Sequence, residues 1–250
     1  MRIALCLALA LSSAAALADD SISTDRPDFT NGPDVVGTGR IQLEAGLYWD
    51  RSSGERNRAT PTMLRLGVND TLELRLSGNG RQYSNQDGSS VSGWGGLQFG
   101  AKWRVSAGND AGAPAVAWLL TVSPPGGSAA FHGNKTHTEL DLPLGWDLPA
   151  GFDLGVMPGV FRDHDDSGQG GWAGVLSASL GHDLAKDVHG FFELAAQQLA
   201  ADRLGGHVLT ASTGASWQPD PDWQLDLAAA RGLTHETPRW QWTLGLSLRY

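Results

Sequence analysis

Cysteine is almost absent from this chain, whose 250 residues contain one, Cys6. No disulfide can therefore form within the chain. Small exported domains often depend on disulfides, because their apolar cores are too small to stabilise them alone. If this chain is exported, its stability must come from another source.

Long apolar runs are also absent. The run nearest to one, Ile3–Leu11, is far shorter than the roughly 18 apolar residues that a membrane-spanning helix requires. A transmembrane helix is therefore excluded. If the chain enters a membrane, it must do so as a closed β-barrel, because that is the other structure that satisfies every backbone polar group in lipid.

The first residues have the pattern of an export signal. Arg2 precedes the apolar run Ile3–Leu11, and Ala16-Leu17-Ala18 precedes Asp19. This pattern predicts a secretory signal peptide over residues 1–18. Arg2 is the one charged residue it contains, so its removal takes the formal net charge from −9 to −10. An acidic chain of this kind is a poor partner for nucleic acid, and we expect no nucleic-acid binding.

The last twelve residues alternate strictly between apolar and polar or small side chains. The apolar positions are Trp240, Trp242, Leu244, Leu246, Leu248 and Tyr250. This alternation predicts a β-strand about twice the usual length of about 5–6 residues. Aromatic residues at both ends of one apolar face are typical of a strand that crosses a membrane. A terminal strand ending on Tyr250 resembles the assembly signal of bacterial outer-membrane barrels, so we expect the barrel assembly machinery as a partner.

Similar alternation recurs from residue 40 onwards and predicts about twelve strands. The fold expected over residues 40–250 is all-β, a transmembrane antiparallel up-and-down β-barrel. The polar stretches Ser52–Asn57 and Tyr83–Ser92 are expected to be loops, and Asn69-Asp70-Thr71 a three-residue hairpin loop. An even strand number places both termini on one side, which we expect to be the periplasmic side of a bacterial outer membrane. A soluble periplasmic β-sandwich is the alternative architecture.

The charged residues on the polar strand faces suggest a site inside the barrel. The hairpin register that keeps the leucines on one face sets Arg65 opposite Arg75, and like charges directly opposite each other are destabilising. Acidic partners are therefore needed in the lumen. We predict a lumen charge layer formed by Glu44, Arg65, Glu73, Arg75, Glu193, Asp226 and Arg249.

Residues 19–39 have no useful periodicity and contain two prolines, which predicts an extended N-terminal segment. The tether that joins it to the first strand is long enough to fold back into the barrel. We therefore predict that this segment is a lumen plug carried by Asp25, Arg26 and Asp28. Asp25 or Asp28 should contact an inward arginine, and Arg26 should pair with one of the acids. The alternative is that Asp25 and Asp28 are solvated turn residues.

Several stretches resemble the outer-membrane transporter family named for the meta-pathway of phenol degradation. The similar stretches are Thr24–Thr30, Gly39–Gly46, Leu64–Val68, Glu73–Leu76, Leu225–Leu227, Arg231–Thr234 and Gly245–Tyr250. The resemblance spans residues 24–250 and is loose over about 105–190. It implies a barrel with a transport function, and it supplies no defined substrate and no catalytic residue.

These observations predict a channel or transporter through which small, aromatic or hydrophobic molecules diffuse. The expected partners are outer-membrane lipid, lipopolysaccharide and the small-molecule substrate, with no cofactor and no enzymatic activity. One alternative is a structural barrel or surface adhesin with a closed lumen. Another is an outer-membrane hydrolase, which would need a serine and a histidine on neighbouring strands with an orienting group.

Two groups of residues deserve comparison with active sites and metal sites. Ser128 lies near His132 and Asn134, but their spacing matches no nucleophile motif. Asp163–Asp166 contains carboxylates that suit a cation, yet it lacks the glycine and the distal glutamate of a calcium loop. We therefore expect no catalytic residues and no metal site, and a solvated acidic loop at Asp163–Asp166.

Overall fold

The structure is a computed structural model that describes residues 21–109, 112–165 and 167–250, so the predicted signal peptide lies outside the described residues. Over the described residues the chain forms one antiparallel sheet of twelve strands. The strands are β1 Ile41–Arg51, β2 Glu55–Ala59 with Thr62–Asn69, β3 Leu72–Gly78 with Arg81–Gln86, β4 Ser89–Trp94 with Leu97–Ala107, β5 Ala115–Ser123, β6 His137–Asp141 with Leu144–Leu148, β7 Phe152–His164, β8 Gly170–Ala185, β9 Val188–Leu199, β10 His207–Asp220, β11 Trp223–Gly232 and β12 Trp240–Arg249. Three short 3-10 helices, Ala129–Phe131, Pro149–Gly151 and Asp202–Leu204, lie in the connections.

Four of these strands are interrupted by a pair of residues that leaves the ladder. The interruptions are Thr60-Pro61, Asn79-Gly80, Gly95-Gly96 and Leu142-Pro143. Proline has no backbone N–H to give to a ladder, and glycine in a strand often marks a bulge or a sharp bend. Each interrupted strand nevertheless continues beside at least one of the same neighbours, with Ser89–Trp94 of β4 paired, among the described strands, to β3 alone, and the predicted count of twelve is confirmed.

The sheet closes because β1 pairs with β12, from Gln42 opposite Arg249 to Arg51 opposite Trp240. The other strands pair with their neighbours in sequence. Closure joins the first strand to the last, as crossing lipid with strands requires. The predicted transmembrane antiparallel up-and-down barrel is therefore confirmed, and the alternative β-sandwich is wrong.

The N-terminal start of β1 and the C-terminal residue Tyr250 lie at the same end of the barrel, since Ile41 and Tyr250 exchange backbone hydrogen bonds of 2.9 and 2.8 Å. We call this end the terminal end and the other the distal end. Among the described residues, no helix combines the length and the apolar character needed to cross a membrane.

The two faces of the sheet are the reverse of those in a soluble protein. Leu66, Leu74, Leu227 and Leu246 point outwards and are exposed, as the alternation predicts. The inward face is polar and its side chains are buried, including Gln42, Lys102, Ser177, Thr210 and Ser247. Exposed aromatic side chains are found near both ends, with Trp94, Trp172 and Trp240 at the distal end and Trp103, Trp217 and Tyr250 at the terminal end. Two such belts are typical of membrane barrels.

One expected loop is half right and the other is wrong. Residues 52–54 form the β1–β2 connection, but Glu55–Asn57 belong to β2. All of Tyr83–Ser92 except the turn 87–88 belongs to the distal parts of β3 and β4, which pair with each other. These distal parts carry few apolar residues, so the alternation that revealed the other strands is missing there.

The β2–β3 hairpin keeps the predicted register but not the predicted loop. Leu66 lies opposite Leu74, and Asn69 lies opposite Leu72, so the turn has two residues and a bulge follows Gly67. The Asn69 Oδ1 atom accepts hydrogen bonds from the backbone N–H groups of Thr71 and Leu72, both at 2.9 Å. The bulge supplies the odd residue that the register requires, which is why a two-residue turn is compatible with it.

Candidate functional site

The N-terminal segment, residues 21–39, lies inside the barrel, and both of its ends are attached at the terminal end. The Ile22 N–H donates to the Pro221 carbonyl oxygen at 2.7 Å, and the Gly39 N–H donates to the Gly67 carbonyl oxygen at 2.9 Å. Between these attachments the segment passes into the lumen and returns.

Asp25 lies among three cationic side chains of the barrel wall. Its carboxylate accepts hydrogen bonds from Arg75 and, at 3.0 and 3.1 Å, from the Lys102 Nζ atom. The Arg65 Nη1 atom lies 3.8 Å from the same carboxylate. The Asp25 N–H also points at the Glu44 carboxylate, at 3.3 Å. Asp25 thus makes the predicted contact with an inward arginine.

Arg65 and Arg75 lie directly opposite each other, and Glu73 bonds to both. Glu73 accepts hydrogen bonds from Arg65 Nη2 at 2.9 Å and from Arg75 Nε at 2.6 Å, and Glu44 accepts a third from Arg65 Nη1 at 2.9 Å. We call these buried residues, together with Lys102 and Asp25, the Asp25 cluster. It contains three cations and three carboxylates, and it is neutral only while Asp25 is present.

Arg26 extends towards β11 and β12. Its Nη2 atom lies 3.1 Å from the Asp226 carboxylate and 2.6 Å from the Thr243 hydroxyl oxygen. Gly46 and Gly245 face the guanidinium, and a Cβ atom at either position would lie 2.7 or 2.4 Å from it. A side chain at either position would force the guanidinium to move.

Glu193 on β9 binds the backbone of the segment rather than an arginine. It accepts hydrogen bonds from the N–H groups of Phe29 at 3.1 Å and Thr30 at 2.7 Å. The Thr30 hydroxyl donates to the same carboxylate at 2.7 Å and lies 2.8 Å from the Ser177 hydroxyl, while Ser212 donates to Glu193 at 2.8 Å. Because β9 lies across the barrel from β3, the segment bridges two walls of the lumen.

Asp28 occupies a different position from Asp25. Its carboxyl group lies near the Ser179 hydroxyl and Glu193. Among the described residues, no lysine or arginine forms an ion pair with it. Of the two carboxylates predicted to contact an arginine, Asp25 therefore does so and Asp28 does not.

Arg249 faces the lumen but lies apart from the Asp25 cluster. Its Nη2 atom is 2.9 Å from the Asp222 carboxylate and 3.2 Å from the Pro221 carbonyl oxygen, in the turn between β10 and β11. That turn also receives the N–H of Ile22. Arg249 thus supports the attachment of the segment at the terminal end and is not a member of the central charge layer, a correction to the predicted set.

Lys102 was missed by the sequence reasoning. Its Nζ atom donates to the carbonyl oxygens of Gly32 at 2.7 Å and Asp34 at 3.1 Å, in addition to Asp25. A signal was available, because Lys102 lies between the outward Ala101 and Trp103 and must face the lumen.

Inward glycines of the wall were also missed. A Cβ atom at Gly67 would lie 1.6 Å from the Gly37 carbonyl oxygen, and one at Gly145 would lie 3.0 Å from the Pro33 ring. Glycine inside a strand often marks a place where another backbone approaches closely. Such glycines let the N-terminal segment lie against the wall.

Two cavities border Arg26–Asp28. The larger, about 890 Å³, extends to the terminal end and is also lined by Asp153 and Gln218. The smaller, about 210 Å³, lies on the other side and is also lined by Tyr48 and Gln241. Because Arg26–Asp28 line both, this part of the segment separates them.

A further cavity of about 540 Å³ occupies the distal half of the barrel and adjoins the smaller one through Tyr48 and Pro61. Its lining combines the aromatic rings of Tyr48 and Phe131 with polar groups such as Asn57. Aromatic and polar groups around one cavity suit a small molecule that has an apolar ring and a polar substituent.

Ser128, which was considered for hydrolysis, and two histidines at the terminal end take structural roles. The Ser128 hydroxyl accepts a hydrogen bond from the Trp94 N–H at 2.9 Å. His182 lies 3.0 Å from the Gly151 carbonyl oxygen, and His189 lies between the carboxylates of Asp153 and Asp183 at 3.1 and 3.0 Å. Among the described residues, no serine hydroxyl is hydrogen-bonded to a histidine ring.

The acidic loop after β7 is closed by its own hydrogen bonds. The Asp165 carboxylate accepts bonds from the Ser167 hydroxyl at 2.6 Å and the Gln169 N–H at 2.9 Å, and it pairs with Arg203 at 3.1 Å. These bonds, the one from Ser167 first, hold the pKa of Asp165 below its ordinary value. Asp166 lies outside the described residues.

Comparison with solved structures finds the same barrel architecture at low sequence identity. The COG4313 outer-membrane channel from Pseudomonas putida F1 is 14% identical, with 87% of this chain and 97% of that chain covered and a TM-score of 0.63. The KdgM porin is 9% identical, with 83% and 98% covered and a TM-score of 0.56. The NanC porin is 12% identical, with 83% and 98% covered and a TM-score of 0.54. At these identities the likeness establishes the fold.

No curated protein matches the chain. A family model described as "Putative MetA-pathway of phenol degradation" matches residues 24–250, which is nearly all of the described chain. The resemblance drawn from the sequence is thereby confirmed, and the chain belongs to this family.

Proposed function

We propose that this protein is an outer-membrane channel for small molecules in which residues 21–39 form a barrier across the lumen. The observation that carries the proposal is the pair of cavities separated by Arg26–Asp28 inside a closed barrel. We call residues 21–39 the partition. Cavities lie on both sides of it, so its displacement would be enough to open a continuous path through the lumen. The partition is held by charge pairs and by backbone hydrogen bonds, and no covalent bond ties it to the wall beyond the chain itself.

The substrate class that we propose is small aromatic or apolar molecules with a polar substituent. Two observations support it. The family description refers to phenol degradation, and the distal cavity combines Tyr48 and Phe131 with Asp50 and Asn57. No cofactor is invoked, because diffusion along the lumen requires neither redox nor group-transfer chemistry, and we propose no enzymatic activity.

We propose the terminal end as the periplasmic end. In bacterial outer-membrane barrels the periplasmic turns are short and the external loops are longer. The short connections 70–71, 149–151, 186–187 and 221–222 lie at the terminal end, whereas the longer connections 124–136, 165–169, 200–206 and 233–239 lie at the distal end. The connections 108–114, 52–54 and 87–88 depart from this pattern.

The test is transport by the refolded full chain. Liposomes that contain the protein should swell in an isotonic solution of phenol-sized solutes, and planar bilayers should show discrete conductance steps. A matched measurement with Asp25→Asn should show greater permeability, because the partition loses its central ion pairs. Folded, heat-modifiable protein that stays silent in both forms would contradict the channel and would favour the closed structural barrel.

A further inference from the structure

Five arginines point outwards at the distal end and form one surface across β11, β12 and β1–β4. We call them the arginine patch: Arg51, Arg56, Arg58, Arg81 and Arg231. Their orientation follows from pairing, because directly paired residues share a face of the sheet. Arg58 lies opposite Trp49 and Tyr83, and Arg81 lies opposite Trp94, all on the lipid-facing side.

Three arginines of the patch lie in one row. Arg231 is paired with Trp240, Trp240 with Arg51, and Arg51 with Arg56. Neighbouring strands are about 4.8 Å apart, so the row spans about 15 Å. Like charges directly opposite each other, such as Arg51 and Arg56, are destabilising. Within the described part of the chain, no carboxylate forms an ion pair with any arginine of the patch.

Aromatic rings support three of the guanidinium groups. The Cζ atom of Arg231 lies 4.8 Å from the centre of the Trp240 ring, that of Arg58 lies 5.8 Å from the Tyr83 ring, and that of Arg81 lies 5.9 Å from the Trp94 ring. Stacking on a ring restricts a guanidinium while leaving N–H donors for an oxyanion. Arg81 also donates to the Ser92 hydroxyl at 3.0 Å, and Arg231 to the Arg239 carbonyl oxygen at 3.4 Å. These side chains are therefore partly preorganised to bind an anion at the level of the aromatic belt.

The opposite end of the barrel lacks such a surface. Of the described strand residues, the outward-facing lysines and arginines all lie in the distal half; they are the patch residues and Arg162, which lies outside the patch opposite Trp172. At the terminal end, Arg104 and Arg249 face the lumen and bond to Asp34 and Asp222, and Lys186 lies in a turn. A cationic belt at one interface only is unexpected if both leaflets present the same headgroups.

We propose that the arginine patch binds the phosphorylated glycolipid of the outer leaflet, a molecule of the lipid A class. Its phosphates would lie on the row Arg231, Arg51 and Arg56, where charge repulsion would be relieved, and its acyl chains would lie along the outward leucines below. A planar guanidinium can bind a phosphate through two hydrogen bonds. The proposal also assigns the distal end to the outer leaflet, and it does not depend on transport through the lumen.

The test is lipid binding by the full chain, folded in detergent and followed by native mass spectrometry. The probes are bisphosphorylated lipid A, the same lipid A without its phosphates, phosphatidylglycerol and inorganic phosphate. The variant is Arg51→Gln/Arg56→Gln. The control is Arg162→Gln, which removes an outward distal arginine outside the patch. A heat-modifiable gel band shows that each variant is folded, and Arg51→Lys/Arg56→Lys retains the charge if the glutamine pair does not fold.

We expect bisphosphorylated lipid A to bind the wild type and Arg162→Gln alike, and to bind the glutamine pair about tenfold or more weakly, since two charge-assisted contacts are lost. The lysine pair should bind with intermediate strength. Equal weakening by Arg162→Gln would overturn the assignment of the site. Equal binding of dephosphorylated lipid A or of phosphatidylglycerol, or full competition by inorganic phosphate, would overturn the assignment of the ligand.

Discussion

Arg65 and Arg75 lie directly opposite each other inside the barrel, and the cluster around them reaches neutrality only through Asp25 of the N-terminal segment. Glu44 and Glu73 supply two carboxylates from the wall, whereas Arg65, Arg75 and Lys102 supply three cations. An unpaired buried cation is costly. The wall therefore carries one excess positive charge at this site, and Asp25 of the N-terminal segment neutralises it. This ion pairing holds the segment to the barrel wall.

The first prediction concerns Asp25→Asn. The change keeps the shape of the side chain and leaves the cluster with an uncompensated cation, so docking of the segment should weaken by about 3–5 kcal/mol. In planar bilayers the fraction of time spent in conducting states should rise, and the folded barrel should unfold at a lower temperature.

Asp34→Asn is the matched control for this prediction. Asp34 belongs to the same segment, but its carboxylate is half-exposed and pairs with the partly exposed Arg104 at 3.3 Å. Surface pairs of this kind contribute about 0–1 kcal/mol. Equal effects of the two variants would show that the Asp25 cluster does not hold the segment.

The second prediction concerns Gly245→Ala. The added Cβ atom would lie 2.4 Å from the Arg26 Nε atom and 2.4 Å from the Asp226 carboxylate, so Arg26 must move and its pairing with Asp226 must weaken. Conductance should rise while the barrel still folds. Gly32→Ala is the control, because a Cβ atom there meets nothing within 4 Å. Unchanged conductance in Gly245→Ala would mean that Arg26 does not contribute to the barrier.

Much of the barrel could be predicted because the membrane imposes a period of two on every strand it covers. The Leu66–Leu74 register and the opposed Arg65 and Arg75 followed from that alternation alone. The distal parts of β2, β3 and β4 could not be found this way, since beyond the apolar band neither face of a strand must be apolar. Arg51 and Trp240 mark the level at which the pattern stops.

The site was only partly predictable, for a different reason. Alternation tells which residues face the lumen, but it does not tell which strands lie across from one another at the same depth. Glu193 therefore entered the predicted layer as a partner for arginines, whereas the structure has it binding the backbone of Phe29 and Thr30. The depth of Arg249 was missed in the same way.

The third prediction tests the faces of β11. Leu227→Arg places a charge on an outward side chain that is 60% exposed on the lipid-facing surface, and folding into bilayers should be destabilised by roughly 2–4 kcal/mol. Ala230→Arg, three residues along the same strand, points into the 210 Å³ cavity and should cost much less. Folding is followed by heat modifiability during urea titration. A larger loss in Ala230→Arg would invert the assigned faces.

The last prediction uses the scarcity of cysteine to lock the segment in place. The hydroxyl oxygens of Thr30 and Ser177 lie 2.8 Å apart, with Thr30 on the segment and Ser177 on β8. A pair of side chains in such contact is close enough for a disulfide to form with little movement of the backbone. Thr30→Cys/Ser177→Cys should therefore form a disulfide under oxidising conditions, and removal of the signal peptide would remove Cys6, the one competing thiol.

Oxidation of this variant should hold the segment against the wall and abolish the conducting states, and reduction should restore them. The oxidised and reduced forms are compared on one protein in one bilayer, so a difference in folding cannot explain the result. The single variants Thr30→Cys and Ser177→Cys control for the loss of the hydroxyl contacts. The same lock introduced together with Asp25→Asn should suppress its raised conductance. If the oxidised double variant conducts as the reduced one does, solutes pass without displacement of residues 21–39, and the segment is not the barrier.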